Sequence, residues 1–120
     1  MAKTTLKLLV LEDDPQYSSM YAKSLSPLAL NISSTQNITS AYKIFTKLHP
    51  NIVLSNIHLC QKNNFEFLKH IVKTDPLTKI ILTAKHTPKL SNRNQKQEFS
   101  FLNNKISLDK WNHFISPLRG

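Results

Sequence analysis

The stretch K-L-L-V-L-E-D-D-P, residues 7–15, decides how the chain is read. A short apolar run, Leu6 to Leu11, stops abruptly at acid, which is the pattern of a buried strand. Asp14 is placed to cap a helix, and Pro15 suits the first helical position, where its missing N–H goes unused. Tyr17, Met20, Tyr21, Ser24 and Leu25 then recur at helical spacing on one face, and Pro27 ends the helix. Three carboxylates, Glu12, Asp13 and Asp14, therefore stand between a strand end and a helix start. They either just favour the positive end of the helix dipole or line an oxygen-rich pocket suited to Mg²⁺. Spacing alone weighs the two about equally.

Outward from this stretch the alternation continues. Leu28 to Thr35 alternates weakly and reads as an edge strand. Thr39 or Ser40 is placed to cap a helix carrying Ala41, Ile44, Phe45 and Leu48, which His49-Pro50 stops. Residues 52–57 form a second buried strand. A loop through Cys60 to Asn64 leads to a helix with Phe65, Leu68, Ile71 and Val72, broken at Asp75-Pro76. Lys79 to Ala84 is a third buried strand. Lys85 to Glu98 is almost wholly polar, with Leu90 its one apolar residue after Pro88. Phe99 to Leu102 makes a last strand, and Ser107 caps a final helix with Leu108, Trp111, Phe114, Ile115 and Leu118.

Near-continuous apolar strands separated by amphipathic helices predict an α/β domain over residues 1–120, a parallel sheet covered on both faces with right-handed crossovers. In such sheets ligands bind beyond the carboxyl ends of the strands. That rule selects Glu12, Asp13, Asn56, Thr83 and Lys105. A hydroxyl and an ammonium facing two carboxylates could hold a phosphoryl group. Ser55 points to the other face by strand alternation.

Composition narrows the classes. Sixteen Lys and Arg against seven Asp and Glu give a net charge of +9, which favours acidic partners. The single glycine, Gly120, excludes glycine-rich phosphate loops. Turns must use other residues, and Asn63-Asn64 and Asn103-Asn104 are candidates for left-handed backbone. The one cysteine, Cys60, excludes an internal disulfide and a Cys-rich zinc site. The five histidines show no metal-ligand spacing, and no nucleophile elbow is present. No apolar run approaches a membrane span and no signal peptide is evident, so a cytoplasmic protein without enzymatic activity is expected.

The segments K-L-L-V-L-E-D-D-P (7–15), P-N-I-V-L-S-N-I-H-L (50–59) and I-I-L-T-A (80–84), with Lys105, resemble a response-regulator receiver domain of two-component signalling, and the likeness covers nearly the whole chain. The resemblance implies a doubly wound five-stranded parallel sheet of the flavodoxin-like order 2-1-3-4-5. It implies that Glu12 and Asp13 are the acidic metal-binding pair and that the backbone carbonyl of His58 is the third protein ligand. Asn56 then occupies the place of the aspartate that accepts phosphate from a histidine kinase. Thr83 matches the switch hydroxyl and Lys105 the lysine that contacts the phosphoryl group.

The chain departs from that pattern where the chemistry is. Asn56 offers an amide where receivers need a carboxylate nucleophile, and the pocket loses one negative charge. A unit charge at ~4 Å carries about 4 kcal/mol of raw Coulomb energy at an effective dielectric of 20, much of it offset by desolvation, so Mg²⁺ binding is expected to be weak and no cofactor is required. Cys60 stands where receivers usually carry proline, Asn64 where they carry glycine, and Ile106 where proline follows the lysine. The chain thus reads as a pseudo-receiver that signals by phosphorylation-independent protein–protein interaction, with an acidic protein or a second copy of itself as partner. The basic run Lys85, Lys89, Arg93 and Lys96 is the expected partner face. An ordinary phosphoacceptor receiver carrying an engineered Asp-to-Asn change at 56 is the alternative. A nucleic-acid-binding module is a third reading that rests on charge alone.

Overall fold

The computed structural model describes residues 6–28, 30–84 and 100–103. Its elements run β1 (Lys7–Leu11), α1 (Pro15–Leu25), a 3₁₀ turn (Ser26–Leu28), β2 (Asn31–Thr35), α2 (Ile38–Leu48), β3 (Ile52–Asn56), α3 (Ile57–Lys62), α4 (Glu66–Thr74), β4 (Lys79–Ala84) and β5 (Ser100–Asn103). The strands form one parallel sheet in the order β2-β1-β3-β4-β5, the order that the resemblance implies. The chain returns to the opposite side of β1 after β2. The carboxyl ends of β1 and β3 therefore flank the crevice where a doubly wound sheet binds ligands.

Two apolar layers hold the sheet, and strand alternation assigns residues to them. Leu9, Leu11, Val53, Ile80 and Leu82 pack with Ala41, Phe45, Cys60, Phe67, Leu68 and Ile71 from α2, α3 and α4. Leu8, Val10, Ile52, Leu54 and Ile81 pack with Tyr21 and Leu25 of α1. Every residue of β3 is buried, as its unbroken apolar run requires of a central parallel strand. In the first layer the Phe45 and Phe67 rings meet edge-on at 6.2 Å, and Tyr42 meets Phe67 at 4.8 Å, both in the range favoured by the ring quadrupoles.

Local chemistry explains most boundaries. Asp14 caps α1, its carboxylate accepting from the Gln16 amide at 2.9 Å, with Pro15 at the first helical position. Four details differ from the sequence reading. The edge strand is shorter, because Ser26–Leu28 continues α1 as a 3₁₀ turn. Asn37, rather than Thr39 or Ser40, caps α2 by accepting from the Ser40 amide at 2.9 Å. The segment expected as a loop from Cys60 is largely the helix α3, and only Asn63, Asn64 and Phe65 link it to α4. Cys60 is fully buried within this helix, and its carbonyl accepts the Asn63 and Phe65 amides at 3.2 and 2.8 Å. Phe67, not Val72, completes the buried face of α4.

The left-handed turn also resolves more finely than expected. Asn64 (φ 53°) and Phe65 (φ 58°) are left-handed, whereas Asn63 is not (φ −99°). Asn63 instead accepts the Phe67 amide at 2.8 Å, which supplies α4 with the start its own N-cap lacks. Asn103 lies within β5 rather than in a turn.

Candidate functional site

Glu12, Asn56 and Thr83 extend one face of three neighbouring strands past the last apolar residue. Each follows the alternation of the α1-side layer: Leu8 and Val10 lead to Glu12, Ile52 and Leu54 to Asn56, and Ile81 to Thr83. Register brings them level. Asn56 pairs with Thr83 across β3 and β4, Leu11 pairs with Ser55, and the Glu12 amide donates to the Thr35 carbonyl at 3.0 Å. All three side chains are buried. Above them Glu12, Asp13, Asp14, Pro15, Asn56 and His58 line an open cleft of about 490 Å³.

The Asn56 amide is fully engaged. Its Oδ1 accepts the His58 backbone N–H at 2.8 Å and so caps α3. A backbone N–H can only donate, so this bond fixes which amide atom is oxygen. Nδ2 consequently faces Glu12 and donates to both carboxylate oxygens at 3.3 Å. Glu12 also accepts the Asp14 amide at 3.0 Å. Burial pushes the Glu12 carboxyl above its usual range, the Asp14 and Asn56 hydrogen bonds pull it back, and neighbouring Asp13 raises it again.

These bonds bear on the metal that the acidic pair suggests. Mg²⁺ requires oxygen ligands with free lone pairs. Here an amide NH₂ is turned toward the carboxylate that would hold the ion. His58 sits in the first turn of α3, where a helical carbonyl runs along the axis toward the residue four ahead. Its N–H, not its carbonyl, is what Asn56 engages. Among the described residues no group of three or more His, Cys, Asp or Glu side chains could hold a metal ion. The donor set as it stands fits Mg²⁺ poorly.

Thr83 sits level with Asn56, its Oγ1 at 3.5 Å from the Ser55 carbonyl. Ser55 points to the opposite layer as alternation predicts, its Oγ 3.0 Å from the Cys60 sulfur. Burial pushes the Cys60 thiol up to about 11, partly offset by Ser55. Tyr21 was placed by its spacing in the core face of α1 but not in the site. Burial raises its phenol to about 12, partly offset by Thr83. Helical periodicity reports the apolar ring and is silent about where the hydroxyl ends. Lys105, Lys85, Lys89, Arg93 and Lys96 lie outside the described residues.

No protein-family model matches the chain, and no curated protein matches it. Solved structures do. A response regulator from Thermotoga maritima superposes with a TM-score of 0.79 at 13% identity, over 97% of this chain and 98% of that one. The signal receiver domain of a putative Luxo repressor protein from Vibrio parahaemolyticus gives 0.78 at 19%, over 97% and 91%. That of an HD domain-containing protein from Pseudomonas fluorescens Pf-5 gives 0.76 at 20%, over 97% and 94%. At such identities the likeness is one of backbone, and what it establishes is that the chain has the fold of response-regulator receiver domains.

Proposed function

We propose that this chain is a pseudo-receiver, a signalling module that acts through protein–protein contact and forms no aspartyl phosphate. The observation that carries the reading is the engagement of Asn56. Its oxygen caps α3 and its NH₂ neutralises part of the Glu12 demand for hydrogen bonds. The amide is therefore a working part of the packed structure. An amide nitrogen has no lone pair available for phosphoryl transfer, and positioning plus charge neutralisation, the usual means of that catalysis, have no nucleophile to act on. With +9 overall, the partner suited to the chain is an acidic protein surface, steered in by charge. No helix among the described residues is long and apolar enough to cross a membrane.

Incubation with a small-molecule phosphodonor and Mg²⁺, followed by intact mass, tests the chemical half of this reading. No adduct is expected, and a stoichiometric phosphoryl adduct at residue 56 would overturn it. The partner half is tested by reversing Lys89, Arg93 and Lys96 to Glu. Captured acidic protein should be lost while the melting temperature stays nearly constant. Unchanged capture would remove that face from the proposal.

A further inference from the structure

β2 closes one side of the sheet, with β1 as its single neighbour among the described strands. In a parallel ladder alternate residues turn both backbone groups to the same neighbour. Here the Asn31 amide donates to the Leu6 carbonyl at 2.9 Å, and the Thr35 carbonyl accepts the Glu12 amide at 3.0 Å. Asn31, Ser33 and Thr35 therefore face β1, and Ile32 and Ser34 turn their N–H and C=O groups outward. None of these four groups meets a partner among the described residues. Folded proteins usually blunt such an edge with charge, proline or a bulge. β2 has none of these: it reads N-I-S-S-T, and its register with β1 is unbroken. The helices leave the strand accessible on both faces, since Asn31 on one and Ser34 on the other are exposed.

We infer that β2 is a pairing edge for a second copy of this chain, joined antiparallel across a two-fold axis at Ser33 so that two sheets become one. Charge selects that occupant. No Lys, Arg, Asp, Glu or His occurs from Ser24 to Tyr42, the longest such stretch in the sequence. Two chains of +9 repel each other, and least where neither edge carries charge. An acidic protein gains nothing from an uncharged edge and suits the basic residues outside this stretch. The strand is also self-complementary, as an isologous contact requires. With Ser33 on the axis, Ile32 of each copy lies opposite Ser34 of the other, and each such pair exchanges both N–H···O=C bonds. All four outward groups of each copy are then satisfied. Ser33 faces Ser33, Ile32 faces Ser34 and Asn31 faces Thr35, so no like charges stand opposite one another. The inference is independent of the proposed function, since it uses neither the cleft nor the basic surface.

Sedimentation equilibrium of the full chain over a range of concentrations, joined to amide exchange by NMR, tests the pairing. The mass should rise from one chain toward two. The Ile32 and Ser34 amides, fast-exchanging in dilute solution, should slow in step with the dimer fraction, while those of Ser33 and Thr35, which face β1, are protected throughout. Added salt should strengthen the dimer by screening the repulsion between like-charged chains. Ser34→Lys puts a charge on the edge and should leave a folded monomer, whereas Ser34→Thr should still dimerise. A chain that stays monomeric to about millimolar concentration would overturn the inference and leave the edge to a strand of another protein. A dimer whose Ile32 and Ser34 amides stay fast, or one that dissociates as salt rises, would also overturn it, because a different surface then holds the copies together. Should Ser34→Lys fail to fold, exchange in the unmodified chain decides alone. These measurements involve neither a phosphodonor nor an acidic partner, so their failure is separate from failure of the proposed function.

Discussion

Replacing Asn56 with aspartate exchanges one NH₂ group for an oxygen and reverses the sign of its interaction with Glu12. The two N–H···O contacts at 3.3 Å become oxygen facing oxygen at comparable distance. Hydrogen bonds to a charged group contribute about 1.5–3 kcal/mol. Two unit charges ~3.3 Å apart at an effective dielectric of 20 repel by about 5 kcal/mol before relaxation. The full repulsion is not realised, because the pair can take up a proton at about 1.4 kcal/mol per unit of pKa shift. Destabilisation of roughly 2–4 kcal/mol near neutral pH without metal follows from these terms. The pH dependence has a definite sign. One carboxyl of the pair has a folded-state pKa raised above its unfolded value, so the folded chain binds more protons than the unfolded chain, and stability falls as pH rises through that pKa. Urea unfolding at about pH 5 and at neutral pH, with and without millimolar Mg²⁺, measures it. The deficit should shrink at the lower pH and on adding Mg²⁺, which binds the folded variant and stabilises it by mass action. The variant should also acquire phosphodonor-dependent modification. An Asn56→Asp chain as stable as its parent at neutral pH without metal would refute the role given to the amide. Restored stability with Mg²⁺ but no modification would locate the remaining defect in α3 and its turn, where the backbone departs from the expected loop.

Further outcomes follow from single residues. Burial raises the Glu12 carboxyl, so stability of the unmodified chain should increase as pH falls from neutral through its raised pKa toward the ordinary carboxylate range, and Glu12→Gln should flatten that slope in a pH series of urea melts. Asn64 is exposed in left-handed backbone at φ 53°. Asn64→Gly should therefore be neutral or stabilise by up to about 1 kcal/mol, whereas Asn64→Val should cost roughly 1–2 kcal/mol, as thermal unfolding would show. Cys60 is buried and its thiol is raised to about 11. Labelling by a thiol reagent at mildly alkaline pH should wait on opening of the fold, and labelling at the rate of a free thiol would show α3 to be open.

The arrangement of layers was legible in the pattern of apolar residues. The apolar runs through Leu11, Leu54 and Leu82 have no polar face to offer water, and each gives way to polar residues at its carboxyl end, so a buried parallel sheet with its polar residues there was legible in the hydrophobic pattern. Asp14 and Pro15 marked the start of α1 because capping is local chemistry. The site was legible to the extent that it consists of strand ends: Glu12, Asn56 and Thr83 meet because register is set by the same alternation that buries their neighbours. The helix at Ile57–Lys62 was not legible, since six residues lie below any periodicity signal and its cap is the side chain of Asn56, whose Oδ1 could be assigned only once the His58 amide stood 2.8 Å away. Asn37 was passed over for Thr39 and Ser40 because all three are capping residues and only backbone geometry chooses among them. Tertiary structure likewise decided that the Asn56 amide turns toward Glu12 and that the Thr83 hydroxyl finds the Ser55 carbonyl. Each of these bonds joins strands or helices distant along the chain, and a hydrogen bond depends on a few tenths of an ångström that sequence spacing does not encode.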